Sequence, residues 1–119
     1  HVSDDALLLS LWNHAGVYFH GHTVGGTNPA LVQAMAAGAP ILARDTVYNR
    51  EVLDAGGQFV GGQPAQIVEK VTRMLSDPAL LDDMASHNQV RAAKHYSWPK
   101  VCHDYEQALS RIVREYGRR

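Results

Sequence analysis

The chain has 119 residues, a length that one domain with its own hydrophobic core commonly has. Apolar residues make up 45% and charged residues 19% of it, which excludes a disordered or fibrous protein. The formal net charge of -1 gives no electrostatic reason to expect nucleic acid as a partner, and the single cysteine, Cys102, excludes an internal disulfide and fits a reducing cytosol.

The sequence also bears on whether the chain spans a membrane and whether it is part of a longer protein. No apolar run approaches the ~20 residues of a membrane-spanning helix, and no signal-peptide pattern opens the sequence. The first residue is His1 rather than methionine, and a helical pattern begins almost at once. We therefore expect a fragment of a longer protein.

The first half of the chain alternates between helical and strand patterns. Residues 3–15 predict a helix with Ser3 or Asp4 as its N-cap, and residues 16–19 predict a short buried strand. After a glycine-rich loop, Asn28 and Pro29 are a typical N-cap and first residue of a helix, which Gly38 would end.

Two more short strands are predicted next, and the rest of the chain is helical in pattern. Residues 40–43 and 57–62 predict strands, and residues 49–57 between them predict a short helix closed by glycine. Everything after Pro64 is helical, in the segments 64–77, 78–96 and 98–119. We predict an α/β fold, a Rossmann-like parallel sheet with flanking helices over 1–63, followed by a helical C-terminal tail over 64–119.

The loop over residues 20–28 is the candidate ligand site. In an open parallel sheet, ligands bind beyond the carboxyl ends of the strands, and a helix starting at Pro29 would present backbone N–H groups there to an anion. Gly25 and Gly26 would let a phosphate approach the backbone closely. The plainer alternative is that the glycines only form a tight turn. The loop matches neither of the standard phosphate-loop patterns.

Several polar side chains accompany these glycines. His20 and His22 are two positions apart, which on an extended strand places both on one face and could suit a metal. Because no third ligand is nearby, we predict no metal site and interpret the histidines as hydrogen-bond donors to a sugar or phosphate. Simple solvent exposure is the alternative for each. Thr27 and Asn28 add small hydrogen-bonding groups.

The motifs "HGHTVGGTNP", "PALVQAMAAGAPIL" and "NREVL" together resemble the second half of the donor-binding domain in glycosyltransferase family 4, whose members are retaining enzymes of the GT-B fold. The resemblance continues more weakly through "LSDPALLDDM" and "HYSWPKVCHDYEQAL", so it covers nearly the whole chain. The "HGHTVGGTNP" form is most similar to the rhamnosyltransferase-type branch, which builds cell-surface polysaccharides.

The resemblance implies donor-binding roles for the loop and for Gln33. Family members usually carry two glutamates eight positions apart, one near the donor sugar and one on the ribose hydroxyls. These positions fall at Gly25 and Gln33, so neither carboxylate is present. The donor-binding set implied by the resemblance and the loop is His20, His22, Gly25, Gly26, Thr27, Asn28 and Gln33. The catalytic residues are expected largely in an N-terminal domain outside this chain.

The resemblance also implies the partners. The donor would be a nucleotide-diphosphate sugar, with no cofactor, and the acceptor a glycan or a lipid-linked sugar. The location would be cytoplasmic, at the inner face of the membrane if the N-terminal part associates with it, and the oligomeric state stays open. Two alternatives are a degenerate nucleotide-sugar-binding or interaction domain, favoured by Gln33, and a sugar-nucleotide epimerase of similar architecture.

Overall fold

A computed structural model describes residues 2–117. Its elements alternate between helix and strand as far as β3, after which three helices follow one another. In chain order they are α1 (Asp5–Asn13), β1 (Tyr18–His20), α2 (Pro29–Ala36), β2 (Ile41–Arg44), α3 (Val47–Leu53), a 3-10 turn (Asp54–Gly56), β3 (Gly57–Val60), α4 (Pro64–Leu75), α5 (Pro78–His95) and α6 (Trp98–Tyr116).

The three strands form one parallel sheet in the order β1-β2-β3. Tyr18 pairs with Ile41 in the first ladder, and Ile41 pairs with Gly57 in the second, so all three strands start at the same edge. Consecutive parallel strands need helical crossovers, which α2 and α3 provide. The predicted α/β class is confirmed, and the carboxyl ends of the strands lie together at one edge.

Two apolar clusters cover the two faces of this sheet. Because side chains alternate along a strand, Ile41 and Ala43 face one cluster while Leu42 faces the other. The first cluster joins α1, α2, α3 and α5 through buried side chains that include Trp12, Leu31, Met35, Leu53 and Ala92. The second joins the sheet to α4 and α5 through Val60, Met74 and Met84. The sheet is thus a central layer between helices.

Local capping signals set where the first helices begin. Asp4 accepts hydrogen bonds from the backbone of Ala6 and Leu7, which selects it over Ser3 as the cap of α1. Asn28 accepts from the backbone N–H of Ala30 and so caps α2, as predicted. Gly38 follows α2 with a φ of 79°, a conformation that favours glycine and explains the end of the helix there.

Several predicted boundaries differ from the structure; β2 covers Ile41–Arg44 rather than residues 40–43, and β3 ends at Val60 rather than residue 62. The first strand includes His20 and begins at Tyr18, because the ladder with β2 extends through that histidine. Helix α3 begins at Val47 rather than residue 49, since Thr46 caps it. Its end is not a glycine: Asp54 turns the chain with a φ of 51°, and a short 3-10 turn precedes β3.

The last three helices relate differently to the sheet. Helix α5 packs on it, and Arg91 of α5 donates to the backbone carbonyls of Val52 and Glu51, each at 2.7 Å. Helix α6 buries none of its residues and leaves an apolar stripe exposed that includes Tyr105, Leu109 and Ile112. No helix within residues 2–117 is long and apolar enough to cross a membrane.

Candidate functional site

The loops that follow β1 and β2 meet at the carboxyl edge of the sheet and enclose a shallow recess. The β1–α2 loop forms one wall, and the start of α3 with its cap forms the other. The lining residues are His20, His22, Thr23, Val24, Gly25, Gly26, Asn28, Thr46, Tyr48 and Asn49. This edge is where open parallel sheets bind their ligands.

The backbone of residues 23–27 is left without hydrogen-bond partners from the protein. Residues 24–27 form successive bends, and none of the N–H groups of residues 23–27 donates to another group in the part of the chain the structure describes. All five residues are exposed, and Gly25 adopts a φ of 107°, which favours glycine. A bent loop with exposed N–H groups before a helix is the kind of concavity in which such groups can bind an anion in place of water.

The two histidines of the site stack on each other. Their ring centroids lie 4.7 Å apart with an interplanar angle of 25°. The side chain of His20 is only 1% exposed, whereas His22 is exposed. On its other side, His20 Nδ1 lies 3.3 Å from the hydroxyl oxygen of Tyr18, and Tyr18 in turn makes an edge contact with Trp12. Aromatic contacts therefore run from Trp12 in the core through Tyr18 and His20 to the loop.

Burial decides the protonation state of His20. Removal from water lowers the pKa of His20 below its ordinary value of 6.5, and the nearby positive charge of a protonated His22 lowers it further. Burial also raises the pKa of the Tyr18 phenol, so that hydroxyl keeps its proton. His20 Nε2 is buried and has no hydrogen-bond partner within residues 2–117. His20 is thus a neutral side chain with one unused polar atom.

Asn49 links the two walls of the recess. Its side-chain Nδ2 donates to the backbone carbonyl of His22 at 3.1 Å and to that of Arg44 at 2.9 Å. Its backbone N–H donates to Thr46 Oγ1 at 3.1 Å, within the cap of α3. Asn49 is 4% exposed, so these bonds are shielded from water. One side chain therefore ties the β1–α2 loop to the end of β2.

The structure brings most of the predicted site residues together. His20, His22, Gly25, Gly26 and Asn28 line the recess. Thr27 and Gln33 instead line a neighbouring groove of about 380 Å³, with Pro29, Val32, Tyr96, Trp98 and Val101. That groove is mainly apolar, and Gln33 is exposed in it. The two lining sets share no residue, although Thr27 and Asn28 are adjacent in the chain.

Sequence reasoning missed the second wall of the recess. Thr46, Tyr48 and Asn49 line it, yet only Asn49 was considered, as part of a helix and of a family motif. One available signal was their position directly after the second predicted strand, since the carboxyl ends of neighbouring parallel strands share an edge. Position alone, however, does not reveal which carbonyls the Asn49 amide reaches.

The lining of the recess contains no Asp, Glu, Lys or Arg. Within residues 2–117, moreover, no group of three or more His, Cys, Asp and Glu side chains is placed to hold a metal ion. The polar groups of the recess are backbone N–H groups, hydroxyls, amides and imidazoles. Such a set can hydrogen-bond an anion or a sugar.

Comparison with known proteins supplies the family. No protein with a curated description matches the chain. A family described as glycosyl transferase-like matches residues 4–107, which include the whole sheet, both loops of the recess and the first half of α6. Since this match spans most of the sequence, the chain belongs to the glycosyl transferase-like family.

Proposed function

We propose that this chain forms the donor-binding side of a glycosyltransferase that moves a sugar from a nucleotide-diphosphate sugar to an acceptor hydroxyl. The observation that carries the proposal is the run of N–H groups over residues 23–27 that have no acceptor in the described chain. Gly26 is one of these residues, and a Cβ added to it would meet nothing within 4 Å, which leaves open space for a ligand. A diphosphate matches such a concavity.

The transfer retains the anomeric configuration in this proposal, as in the family 4 enzymes that the sequence resembles. The bond from the anomeric carbon to the diphosphate breaks, the acceptor oxygen bonds to that carbon on the same face, and the acceptor proton leaves with the diphosphate. Negative charge grows on the departing group, and N–H groups fixed in place beforehand stabilise it. Residues that act on the acceptor belong to another domain.

His20 contributes a neutral donor. Tyr18 Oη and His20 Nδ1 share a hydrogen bond whose direction depends on the tautomer of His20; in this proposal the hydroxyl donates, which leaves the His20 proton on Nε2. The buried Nε2–H group then has no partner in residues 2–117, and in this proposal an oxygen of the donor reaches it through a local shift of the recess wall. A buried polar atom without a partner is unfavourable, so a ligand that supplies one gains affinity. The ring of His22 stacks on the ring of His20, and in this proposal the exposed His22 contacts the donor from the solvent side.

Two positions depart from the usual carboxylates of the family. Gly25 has no side chain, so contacts to the donor sugar fall to the loop backbone and the histidines. Gln33 offers an amide oxygen to a ribose hydroxyl, without the charge that roughly doubles the strength of such a hydrogen bond. Gln33 lies in the groove with Trp98 and Tyr96, which gives a sugar or base ring an apolar surface to rest on. We therefore expect donor binding that depends on backbone N–H groups more than on carboxylates.

The partners follow from this role. The donor is a nucleotide-diphosphate sugar, and the acceptor is a glycan or lipid-linked sugar in the synthesis of cell-surface polysaccharide or glycoconjugate. The proposed location is the cytoplasm, at the inner face of the membrane.

The test is a thermal-shift screen of the full-length protein against UDP-, GDP- and dTDP-sugars. A donor present at about 100 times its Kd raises the stability by about 2.7 kcal/mol, which is readily measured as a higher Tm. We expect one nucleotide class to stabilise the protein. If none of the three changes the Tm at millimolar concentration, donor binding by this recess is refuted.

A degenerate nucleotide-sugar-binding domain is a second candidate, favoured by the absence of any carboxylate in the recess. Both candidates predict binding, but only a transferase releases the nucleoside diphosphate from its donor. The same screen on Gln33→Glu, followed by detection of the released diphosphate, separates them. Binding without release in either protein would support the second candidate.

A further inference from the structure

Asn49 is a buried residue of α3 whose side chain hydrogen-bonds to the backbone of the β1–α2 loop. It lies 27 residues after His22 in the sequence, yet its Nδ2 is 3.1 Å from the His22 carbonyl oxygen. The same nitrogen is 2.9 Å from the Arg44 carbonyl oxygen at the end of β2. Both contacts fix the position of the loop relative to the sheet.

The chemistry of the two partners fixes the orientation of the amide. Backbone carbonyls accept hydrogen bonds and do not donate them, so the group that faces them must be the –NH₂ end of the side chain. Its two hydrogens suffice for the two acceptors. Asn49 is 4% exposed, and water therefore does not compete for these bonds. Losing them would leave two shielded carbonyls unpaired.

The carbonyl that Asn49 holds belongs to a residue of the histidine stack. Fixing the His22 backbone also fixes the point from which its ring reaches His20, whose ring centroid is 4.7 Å away. His20 is itself anchored in β1. The N–H groups of residues 23–27 begin immediately after His22, so the held carbonyl is also the start of the anion-binding segment.

We propose that Asn49 is a positioning residue of the donor site, which holds the histidine stack and the N–H groups of residues 23–27 in the conformation that binds donor. The donor-binding part of this inference rests on the proposed function. Asn49 itself acts through the His22 carbonyl rather than by contact with the reacting atoms. Its loss therefore misplaces several ligand contacts together.

The chain offers a matched control for this role. Asn88 in α5 is also buried, at 0% exposed, and its Nδ2 also donates across a long separation, to the Ala39 carbonyl at 3.4 Å. Asn88 does not line the recess. The variants Asn49→Leu and Asn88→Leu each keep a side chain of similar shape and remove the donor. Both should lower stability, but only Asn49→Leu should change the site.

The experiment uses the full-length protein and has two readouts. The first is the NMR ring signals of His20 and His22 and their pH titration, which report the stack without any ligand. The second is the affinity for UDP, GDP and dTDP, measured by calorimetry. We expect Asn49→Leu to shift both sets of ring signals and to weaken nucleotide binding at least about tenfold, since small misplacements of contacts have large effects. Asn88→Leu should alter neither.

The outcomes separate this inference from the proposed function. Ring signals and affinities of Asn49→Leu equal to those of Asn88→Leu would overturn the inference. If the wild-type protein binds none of the three nucleotides, the proposed function fails, and the ring signals alone then decide whether Asn49 positions the loop. Should Asn49→Leu not fold, Asn49→Ala, which leaves room for a bridging water, is measured against Asn88→Ala with the same criteria.

Discussion

Gly56 and Gly26 show two different reasons for a glycine in one small protein. Gly56 lies buried in the 3-10 turn beneath α5, where an added Cβ would overlap Asn88 Oδ1 and the His87 ring. At Gly26 an added Cβ would meet nothing within 4 Å, and the backbone there does not have the positive φ that favours glycine.

The two glycines are required for different structural reasons. Packing within the chain accounts for Gly56. Nothing within the described chain accounts for Gly26, although glycine costs roughly 0.5–1 kcal/mol in backbone entropy relative to alanine. A ligand that approaches the backbone closely supplies the missing reason. The comparison therefore favours a ligand-binding role for Gly26 over a role in the turn alone. Substitutions at Gly26 and Gly56 test this interpretation.

A large effect on stability is expected at Gly56. In Gly56→Ala the side chains of Asn88 and His87 must shift to admit the new Cβ, and such overpacking lowers the free energy of unfolding by about 1–3 kcal/mol. Gly62→Ala is the control, since the three atoms nearest to its Cβ belong to the guanidinium end of Arg44, which can move aside. Chemical denaturation of both variants measures the difference. Equal stabilities for the two variants would contradict the packing argument.

An opposite pattern is expected in the loop. Gly26→Val should change the free energy of unfolding by less than about 0.5 kcal/mol, because the side chain enters open space. It should nevertheless abolish the stabilisation by nucleotide sugar, because the isopropyl group blocks approach to the N–H groups. Calorimetry with the donor identified in the screen is the measurement. Unchanged donor affinity would remove Gly26 from the site.

Gly25 differs from its neighbour Gly26 in backbone conformation, so the two positions can be compared within the loop. Its φ of 107° is one that other residues rarely adopt, so Gly25→Ala should lower stability by about 1–3 kcal/mol through local strain. Gly26→Ala is the matched control one position away, and it should be nearly neutral. Thermal unfolding of both variants without ligand compares them. A neutral Gly25→Ala would indicate that the loop relaxes freely.

The fold was predictable from the sequence where its signals are local. Asn28 and Pro29 mark the start of α2, and that prediction is confirmed. The end of β1 was missed by one residue because a buried histidine does not look like a strand residue, and its start was placed two residues too early. The role of Asn49 depends on a carbonyl 27 residues away, which no local pattern encodes. Assignment of the predicted donor-binding residues remains a proposal.

The smallest effect is expected from pH, and it compares one histidine from each region. Burial lowers the pKa of His20 in the folded protein below 6.5, the ordinary value, which the unfolded chain keeps. Between these two pKa values the unfolded state binds more protons than the folded state, so acid favours unfolding. The stability associated with neutral His20 is fully present above about pH 6.5 and is lost as the pH falls through the lowered pKa.

The measurement is the free energy of unfolding at about pH 7.5 and about pH 5.5, on either side of the ordinary histidine pKa. His20→Phe keeps a buried ring but cannot take up a proton, so its stability should fall less than that of the wild type over this interval. His87→Phe makes the same substitution at an exposed histidine outside the recess and serves as the control for it. If His20→Phe and the wild type lose the same stability, protonation of His20 is not linked to folding. The neutral donor assigned to it in the recess would then lose its physical basis.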